Sequence, residues 1–95
     1  MIYYYILEDP DKPTKTKLGI TKNPDNRLRA YRTSAPSCKY YALYEIPDKR
    51  IEKKILDLMR DRFTVQSEYV HCPPNIVENL VEGYFTDYDI VFKKW

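Results

Sequence analysis

The order of apolar and polar positions predicts two short strands at the start of the chain. Residues 2–7 are aromatic or branched aliphatic, and Pro10 and Pro13 interrupt the polar stretch that follows. This composition favours a β-strand followed by a loop. Residues 16–21 again read as a strand. We therefore expect the two segments to pair as a hairpin.

Side chains in a strand alternate between its two faces, so the hairpin is expected to have an apolar face and a polar one. The apolar face would consist of Ile2, Tyr4, Ile6, Leu18 and Ile20. The opposite face would carry Tyr3, Tyr5, Lys17 and Gly19. Any chemistry is therefore expected on the second face.

Helical and strand patterns alternate in the middle of the chain. Asn23 followed by Pro24 is typical of a helix N-cap and first position, and the helical spacing continues to about Arg32. A third strand is predicted over residues 39–46. Pro47-Asp48 should end that strand and cap a second helix that runs to about Phe63. The apolar stripe of the second helix is Ile51, Ile55, Leu58, Met59 and Phe63.

The last third of the sequence is predicted less sharply. Residues 67–71 fit a short extended segment, and Pro73-Pro74-Asn75 should open a third helix that ends near Gly83. Residues 85–95 fit either a terminal strand or a packed tail. The predicted class is α+β, a three-stranded antiparallel sheet with helices packed on it, in the order ββαβα plus a C-terminal helix. A chain of 95 residues favours a single domain over 1–95.

Charge is distributed unevenly, although the net charge is only +2. Residues 12–62 contain 14 Lys and Arg against 6 Asp and Glu, whereas both flanking segments are acidic. A basic centre can attract a polyanion to one surface. The alternative interpretation of the same charges is a solvated, lysine-rich helix.

Cysteine usage and hydropathy indicate the setting of the protein. Cys38 and Cys72 are far apart and lack further ligands at metal-binding spacing, which argues against a zinc site or a disulfide framework. His71, beside Cys72, is expected to be a packing or surface residue. No apolar stretch has the roughly 18 residues of a membrane span. We expect a soluble protein in a reduced intracellular compartment, the cytoplasm or, for a viral protein, the host cell.

Two short motifs at a defined spacing resemble those of the GIY-YIG nuclease superfamily. Tyr3-Tyr4-Tyr5-Ile6-Leu7 is similar to the first motif, and Lys17-Leu18-Gly19 is similar to the second motif of the phage-type branch. Arg27 follows Lys17 by ten residues, as the family arginine does, and Glu52 matches the family glutamate on the second helix. The likeness covers most of the chain and implies a GIY-YIG-like fold.

The resemblance also implies a set of site residues. Tyr5 corresponds to the motif tyrosine, with Tyr3 as the alternative, and Tyr31 matches a tyrosine common in the DNA-repair branch. The implied catalytic residues are thus Tyr5, Lys17, Arg27, Glu52, Tyr31 and Tyr3, and the expected substrate-binding residues are Arg27, Gly19, Lys22 and Arg29. The glycine that leads the first motif is missing, and Thr64 occupies the place of a frequent asparagine. Glu68 lies in a segment similar to the Gly-Glu-Trp-Phe of phage-type members, which suggests that it is close to the site.

The activity implied by the resemblance is metal-dependent hydrolysis of DNA phosphodiester bonds. Glu52 would hold a single Mg²⁺ or Mn²⁺ ion, a hard cation that accepts one carboxylate plus water and phosphate oxygens. Tyr5 would act as the general base or position it, and Lys17 would favour the phenolate. Arg27 would brace the phosphate, because its planar fork of donors suits that group.

Other interpretations of the same residues remain open. Taken singly, Tyr5 and Tyr31 fit packing roles, and Lys17 and Arg27 fit solvated charges. Glu52 fits an ion pair with Lys49 or with an arginine from another segment. A catalytically inactive nucleic-acid-binding or protein-interaction module on the same fold is therefore the alternative function. DNA is the expected partner and RNA the alternative, with no membrane involvement. Specificity would come from DNA shape, from a homodimer or from a separate targeting partner.

Overall fold

The computed structural model describes residues 1–95 and contains three helices and six strands. The strands are β1 (Ile2–Glu8), β2 (Thr16–Thr21), β3 (Lys39–Ile46), β4 (Val65–Gln66), β5 (Tyr69–Val70) and β6 (Lys93–Lys94). The helices are α1 (Pro24–Arg32), α2 (Arg50–Arg62) and α3 (Pro74–Asp87). None of the three helices has the length and apolar character that crossing a membrane requires.

All six strands form one antiparallel sheet in the order β4-β5-β2-β1-β3-β6. The three predicted strands, β1, β2 and β3, form the centre of the sheet. The prediction of a three-stranded sheet is nevertheless wrong, because β4 and β5 extend one edge and β6 extends the other. Each of these has only two residues. So short a segment shows no alternation, and only its pairing with an existing edge makes it a strand. For the C-terminal segment, this resolves the choice between strand and tail in favour of a short strand.

The two faces of the hairpin are divided as alternation predicts. Tyr4, Ile6 and Leu18 are buried in the main core, and Ile2 and Ile20 pack against it. The partners of this face come from α2 and α3: Ile51, Ile55, Met59, Val77, Val81 and Phe85. Burying a large aliphatic side chain contributes roughly 1.5–3 kcal/mol, so this face supplies most of the cohesion of the fold.

The second face of the sheet has a smaller apolar cluster beneath α1. Tyr5, Leu7 and Cys38 are buried in it, and Leu28 and Tyr31 of α1 cover them. No residue of α1 is fully buried, so this helix rests on the sheet by one side only. The face that was expected to carry any chemistry is therefore partly covered and partly open.

The first turns of α1 and α2 are held by side chains that accept hydrogen bonds from backbone N–H groups. The Asn23 side chain accepts a hydrogen bond from the Asn26 N–H at 3.1 Å, so the predicted N-cap is confirmed. At the start of α2, Asp48 Oδ1 accepts from the Arg50 N–H at 2.8 Å. These contacts satisfy N–H groups that the first helical turn leaves without a backbone partner.

Gly83 does not end α3, which continues to Asp87, so the predicted end was wrong. Val81 and Phe85, on either side of Gly83, are fully buried in the core. Their packing holds the helix together across the glycine. Tertiary contact thus overrides a cost of about 1 kcal/mol for glycine inside a helix.

We expect Gly83→Ala to raise the free energy of unfolding by about 0.5–1 kcal/mol, because alanine is the better helix former. A side chain at this exposed position would meet no atom within 4 Å. Urea denaturation followed by circular dichroism measures the change. Gly19→Ala is the contrasting control and should destabilise, because a Cβ there would collide with the phenol of Tyr5. Equal effects of the two substitutions would contradict this account.

Candidate active site

Two tyrosine hydroxyls meet where β1 and α1 face each other. Tyr5 Oη and Tyr31 Oη are 2.6 Å apart, and their rings are in edge contact with centroids 6.0 Å apart. Tyr5 is only 1% exposed, whereas Tyr31 is half-buried. The pair therefore joins a rigid buried phenol to one that reaches the surface.

Lys17 lies beside this pair, between two aromatic rings. Its Nζ is 4.4 Å from the ring centroid of Tyr31 and 5.0 Å from that of Tyr69. The carboxylate of Glu68 is 4.0 Å away. Cation–π attraction and the ion pair together hold the ammonium group against the site. The Lys17 side chain is only 18% exposed, so it is not the freely solvated charge that the alternative interpretation assumed.

Gly19 is directly opposite Tyr5 in the hairpin register. The phenol of Tyr5 occupies the space that a Cβ at position 19 would need. A glycine is therefore required here for the phenol of Tyr5 to pack closely against the backbone of β2. This close approach gives the second motif a structural function that does not depend on catalysis.

The charges around Tyr5 act on it in opposite directions. Burial raises the pKa of Tyr5 well above its usual value, and the hydrogen bond with Tyr31 and the charge of Glu68 raise it further. Arg27 is the cation that lowers it. At neutral pH the phenol is therefore protonated in the free protein. Arg27 thus acts on Tyr5 in the direction that we expected of Lys17.

Glu52 is half-buried in the first turn of α2, the helix that packs on the apolar face of the sheet. Burial and, to a smaller extent, the charge of Glu52 raise the pKa of Tyr4 on that face. Burial raises the pKa of the Glu52 carboxyl group, and the charge of Glu68 adds to the increase. The backbone amide of Ile20 in β2 and the charge of Arg27 lower it. Glu52 therefore lies at the β2 side of the sheet, within electrostatic reach of Arg27 and Glu68.

Arg27 connects the tyrosine side of the site with the glutamate side. It lowers the pKa of both Tyr5 and Glu52. Arg27 is exposed on the second turn of α1 and takes part in no ion pair of the structure. A guanidinium group that is exposed and has no carboxylate partner can bind an anion.

Three of the expected site residues lie outside this group. The hydroxyl of Tyr3 is 3.7 Å from the sulfur of Met1, and its ring faces Trp95. Lys22 is exposed just after β2, and Arg29 points along α1, with Nη1 3.5 Å from Asn26 Oδ1. Lys22 and Arg29 can therefore contact only the outer part of a long ligand.

Two further tyrosines belong to the site, although we did not predict them as site residues. The ring of Tyr40 is 5.5 Å from that of Tyr5, and its hydroxyl donates to the Pro24 carbonyl at 2.7 Å. Burial, with a smaller contribution from Tyr31, raises the pKa of Tyr40 to about 12. Tyr69 contacts Lys17 as described above. Simple alternation misplaces Tyr40, because a register shift between Ile6 and Leu7 changes which β3 residue pairs with β1.

The donor set of the site fits a hard divalent cation that binds mainly through water and substrate. No group of three or more His, Cys, Asp or Glu side chains is arranged to hold a metal alone. Glu52 is half-buried and feels the charge of Glu68, so a nearby cation would relieve the repulsion between the two carboxylates. Carboxylate oxygens are the ligands that Mg²⁺ and Mn²⁺ prefer.

Comparison with known protein families agrees with the phage-type part of the resemblance. The T5orf172 domain, which occurs in phage-type and homing-endonuclease-like proteins, matches residues 2–85. The matched region contains every residue of the site described above. No curated protein sequence and no solved structure matches the chain. Because the match covers most of its length, the chain belongs to the T5orf172 domain family.

Proposed function

We propose that this protein is a divalent-metal-dependent endonuclease that hydrolyses DNA phosphodiester bonds. The observation that carries the proposal is the hydroxyl pair of Tyr5 and Tyr31, 2.6 Å apart, within the electrostatic reach of Arg27. Membership of the T5orf172 family supports a nuclease-like or DNA-binding activity. The GIY-YIG relationship is part of this proposal.

Arg27 binds the scissile phosphate in the proposed mechanism. Its side chain is exposed and free of carboxylate partners, so it can donate two parallel hydrogen bonds to phosphate oxygens. The same contacts stabilise the charge that develops on the phosphate during attack. Lys17, held by its two aromatic neighbours and Glu68, adds positive charge on the other side of the tyrosine pair.

Tyr5 orients the attacking water by a hydrogen bond. Because its phenol is protonated at neutral pH, Tyr5 first passes its own proton through Tyr31 to solvent and then, as the phenolate, receives the proton of the water. The buried phenol is rigid, and Tyr31 offers a route by which a proton reaches the surface. Glu52 would hold a Mg²⁺ or Mn²⁺ ion, which supplies Lewis-acid stabilisation of the phosphate. The phosphate itself approaches Arg27, the cation that opposes the raised pKa of Tyr5.

Plasmid cleavage tests the proposal directly. Purified protein is incubated with supercoiled plasmid in Mg²⁺, in Mn²⁺ or in EDTA, and nicked and linear products are followed on gels. We expect cleavage with either cation and none in EDTA. An RNA substrate of matched length, examined in parallel, distinguishes the two kinds of nucleic acid. Intact DNA under all metal conditions would refute the enzymatic proposal.

Glu52→Gln should raise the Mg²⁺ concentration required for half-maximal cleavage by at least about tenfold, because even groups that only support a metal ligand cost that much. Asp61→Asn is the matched control, since Asp61 is an exposed carboxylate on the same helix without an ion pair. Magnesium titrations of the initial nicking rate measure the shift. An unchanged titration for Glu52→Gln would show that another group holds the metal.

A catalytically inactive nucleic-acid-binding module is the second candidate function. The raised pKa of Tyr5 and the absence of a metal cluster of three or more ligands favour it. This candidate predicts DNA binding that survives both Glu52→Gln and Tyr5→Phe and does not depend on metal. Fluorescence anisotropy of labelled DNA at rising salt measures this binding with the same variants. DNA binding by the unaltered protein without cleavage in Mg²⁺ or Mn²⁺ separates the binding module from the enzyme.

A further inference from the structure

An exposed aromatic surface lies on the same face of the sheet as the candidate site. Trp95 is 64% exposed and its ring centroid is 6.4 Å from that of Tyr3, with the two planes tilted by 56°. We call Tyr3 and Trp95 the aromatic platform. An indole left exposed beside a tyrosine leaves apolar area in water that a planar ligand could cover.

The platform begins one side chain away from the tyrosine pair. Tyr3 and Tyr5 point to the same face of β1, and residues two apart in a strand are separated by roughly 6.5–7 Å. The backbone N–H of Trp95 donates to the Leu43 carbonyl at 2.8 Å, and Leu43 is the β3 residue that pairs with Tyr5. This hydrogen bond places the indole beside the site.

Charges around the platform favour a nucleotide over a purely apolar partner. Lys93 Nζ lies 4.5 Å from the centroid of the Trp95 ring and can reach a phosphate. Glu45 pairs in register with both Tyr3 and Lys93, and one of its carboxylate oxygens is buried without a hydrogen-bond partner. A carboxylate repels phosphate but accepts hydrogen bonds from the amino groups of bases. A base, not the backbone, is therefore expected to face Glu45.

We propose that Tyr3, Glu45 and Trp95 form a binding site for one unpaired DNA base that flanks the scissile phosphate, with a preference for a base that carries an amino group. This inference rests on the proposed function for the position of the phosphate. The base stacks on the aromatic platform, Lys93 contacts its phosphate, and Glu45 accepts from its amino group. The substrate would thus contain a single-stranded segment next to the cleavage point.

Trp95 is the only tryptophan of the chain, so its fluorescence reports on this site alone. The protein is titrated in EDTA with short oligo-dC, oligo-dT and a blunt duplex of matched length. We expect saturable quenching by oligo-dC, weaker quenching by oligo-dT, and little by the duplex. Unquenched fluorescence at concentrations where the anisotropy of labelled oligo-dC shows binding would overturn the proposal.

Variants assign the effect to named residues. Trp95→Ala and Tyr3→Ala should each weaken binding of labelled oligo-dC by about tenfold, a typical loss for one base–aromatic contact. Tyr88→Ala, an equally exposed aromatic just beyond α3, is the matched control and should bind as the unaltered protein does. Glu45→Gln should reduce the preference for oligo-dC over oligo-dT. Equal binding by Trp95→Ala and Tyr88→Ala would refute the site.

Failure of this site and failure of the nuclease give different results. Tyr5→Phe should stop cleavage but leave the quenching by oligo-dC intact. Quenching without cleavage by the unaltered protein would remove the nuclease and retain the base-binding site. Cleavage without quenching would remove the base-binding site and retain the nuclease.

Discussion

Tyr5→Phe is expected to lower the single-turnover rate of plasmid cleavage by about 10²–10⁴-fold, the range that a positioned proton-transfer group contributes. The substitution removes the hydroxyl that lies 2.6 Å from Tyr31 Oη and leaves the buried ring in place. Because Tyr31 is only half-buried, water can replace the lost partner. The fold should therefore survive, and DNA affinity should change little.

Tyr44→Phe is the matched control for this prediction. Tyr44 is also a fully buried strand tyrosine, and its hydroxyl donates to Glu82 at 2.7 Å, but it lies on the opposite face of the sheet. Tyr5→Phe deletes a hydrogen bond between neutral groups and should cost about 0.5–1.5 kcal/mol of unfolding free energy. Tyr44→Phe deletes a hydrogen bond to the charged Glu82 and should cost about 1.5–3 kcal/mol. Only Tyr5→Phe should lose cleavage. A parallel loss in both variants would point to destabilisation instead of catalysis.

Arg27→Ala is expected to lower cleavage by about 10²–10³-fold, the usual loss when one donor to a developing negative charge is removed. Arg27 is exposed, so the free energy of unfolding should change by no more than about 0.5 kcal/mol. The cleavage rate of Arg27→Lys should lie between that of Arg27→Ala and that of the unaltered protein, because lysine keeps the charge and loses the two-pronged hydrogen bonding. Single-turnover kinetics, together with thermal denaturation, measure both effects.

The pH profile of the remaining activity adds an independent readout for Arg27. The guanidinium also lowers the pKa of the Glu52 carboxyl, which must be ionised to hold a cation, so removal of Arg27 should raise that pKa and move the acidic limb of the cleavage profile toward higher pH. Arg62→Ala, which removes an exposed arginine from the end of α2, should leave rate and profile unchanged. Activity of Arg27→Ala equal to that of Arg62→Ala would exclude Arg27 from the site.

Much of the fold was predictable because its signals are local. Alternation in β1 and β2 assigned Tyr4, Ile6 and Leu18 to the core face, and the structure confirms it. The Asn23 cap and the end of α1 at Arg32 followed from residues that lie next to each other in the chain. Backbone geometry and capping depend on near neighbours, so they can be read before any tertiary contact is known.

Other features depended on contacts between distant segments. The continuation of α3 past Gly83 required packing of Val81 and Phe85 in the core. The pairing of β5 with β2 positioned Tyr69 beside Lys17, and the short strand β6 is followed by Trp95, which lies against Tyr3. β5 lies within the extended segment that was predicted over residues 67–71, but two residues are too few to specify a partner strand. The conformations of these segments are selected only once the sheet edges exist.

The sequence alone determined the identities of Tyr5, Lys17 and Gly19 and the strand face they share, because that face follows from a two-residue repeat. Tertiary structure alone decided that Tyr31 closes on Tyr5, that Arg27 acts on both Tyr5 and Glu52, and that Tyr3 turns toward Trp95 instead. Electrostatic coupling depends on distances across separate elements, and no spacing along a chain reports those distances.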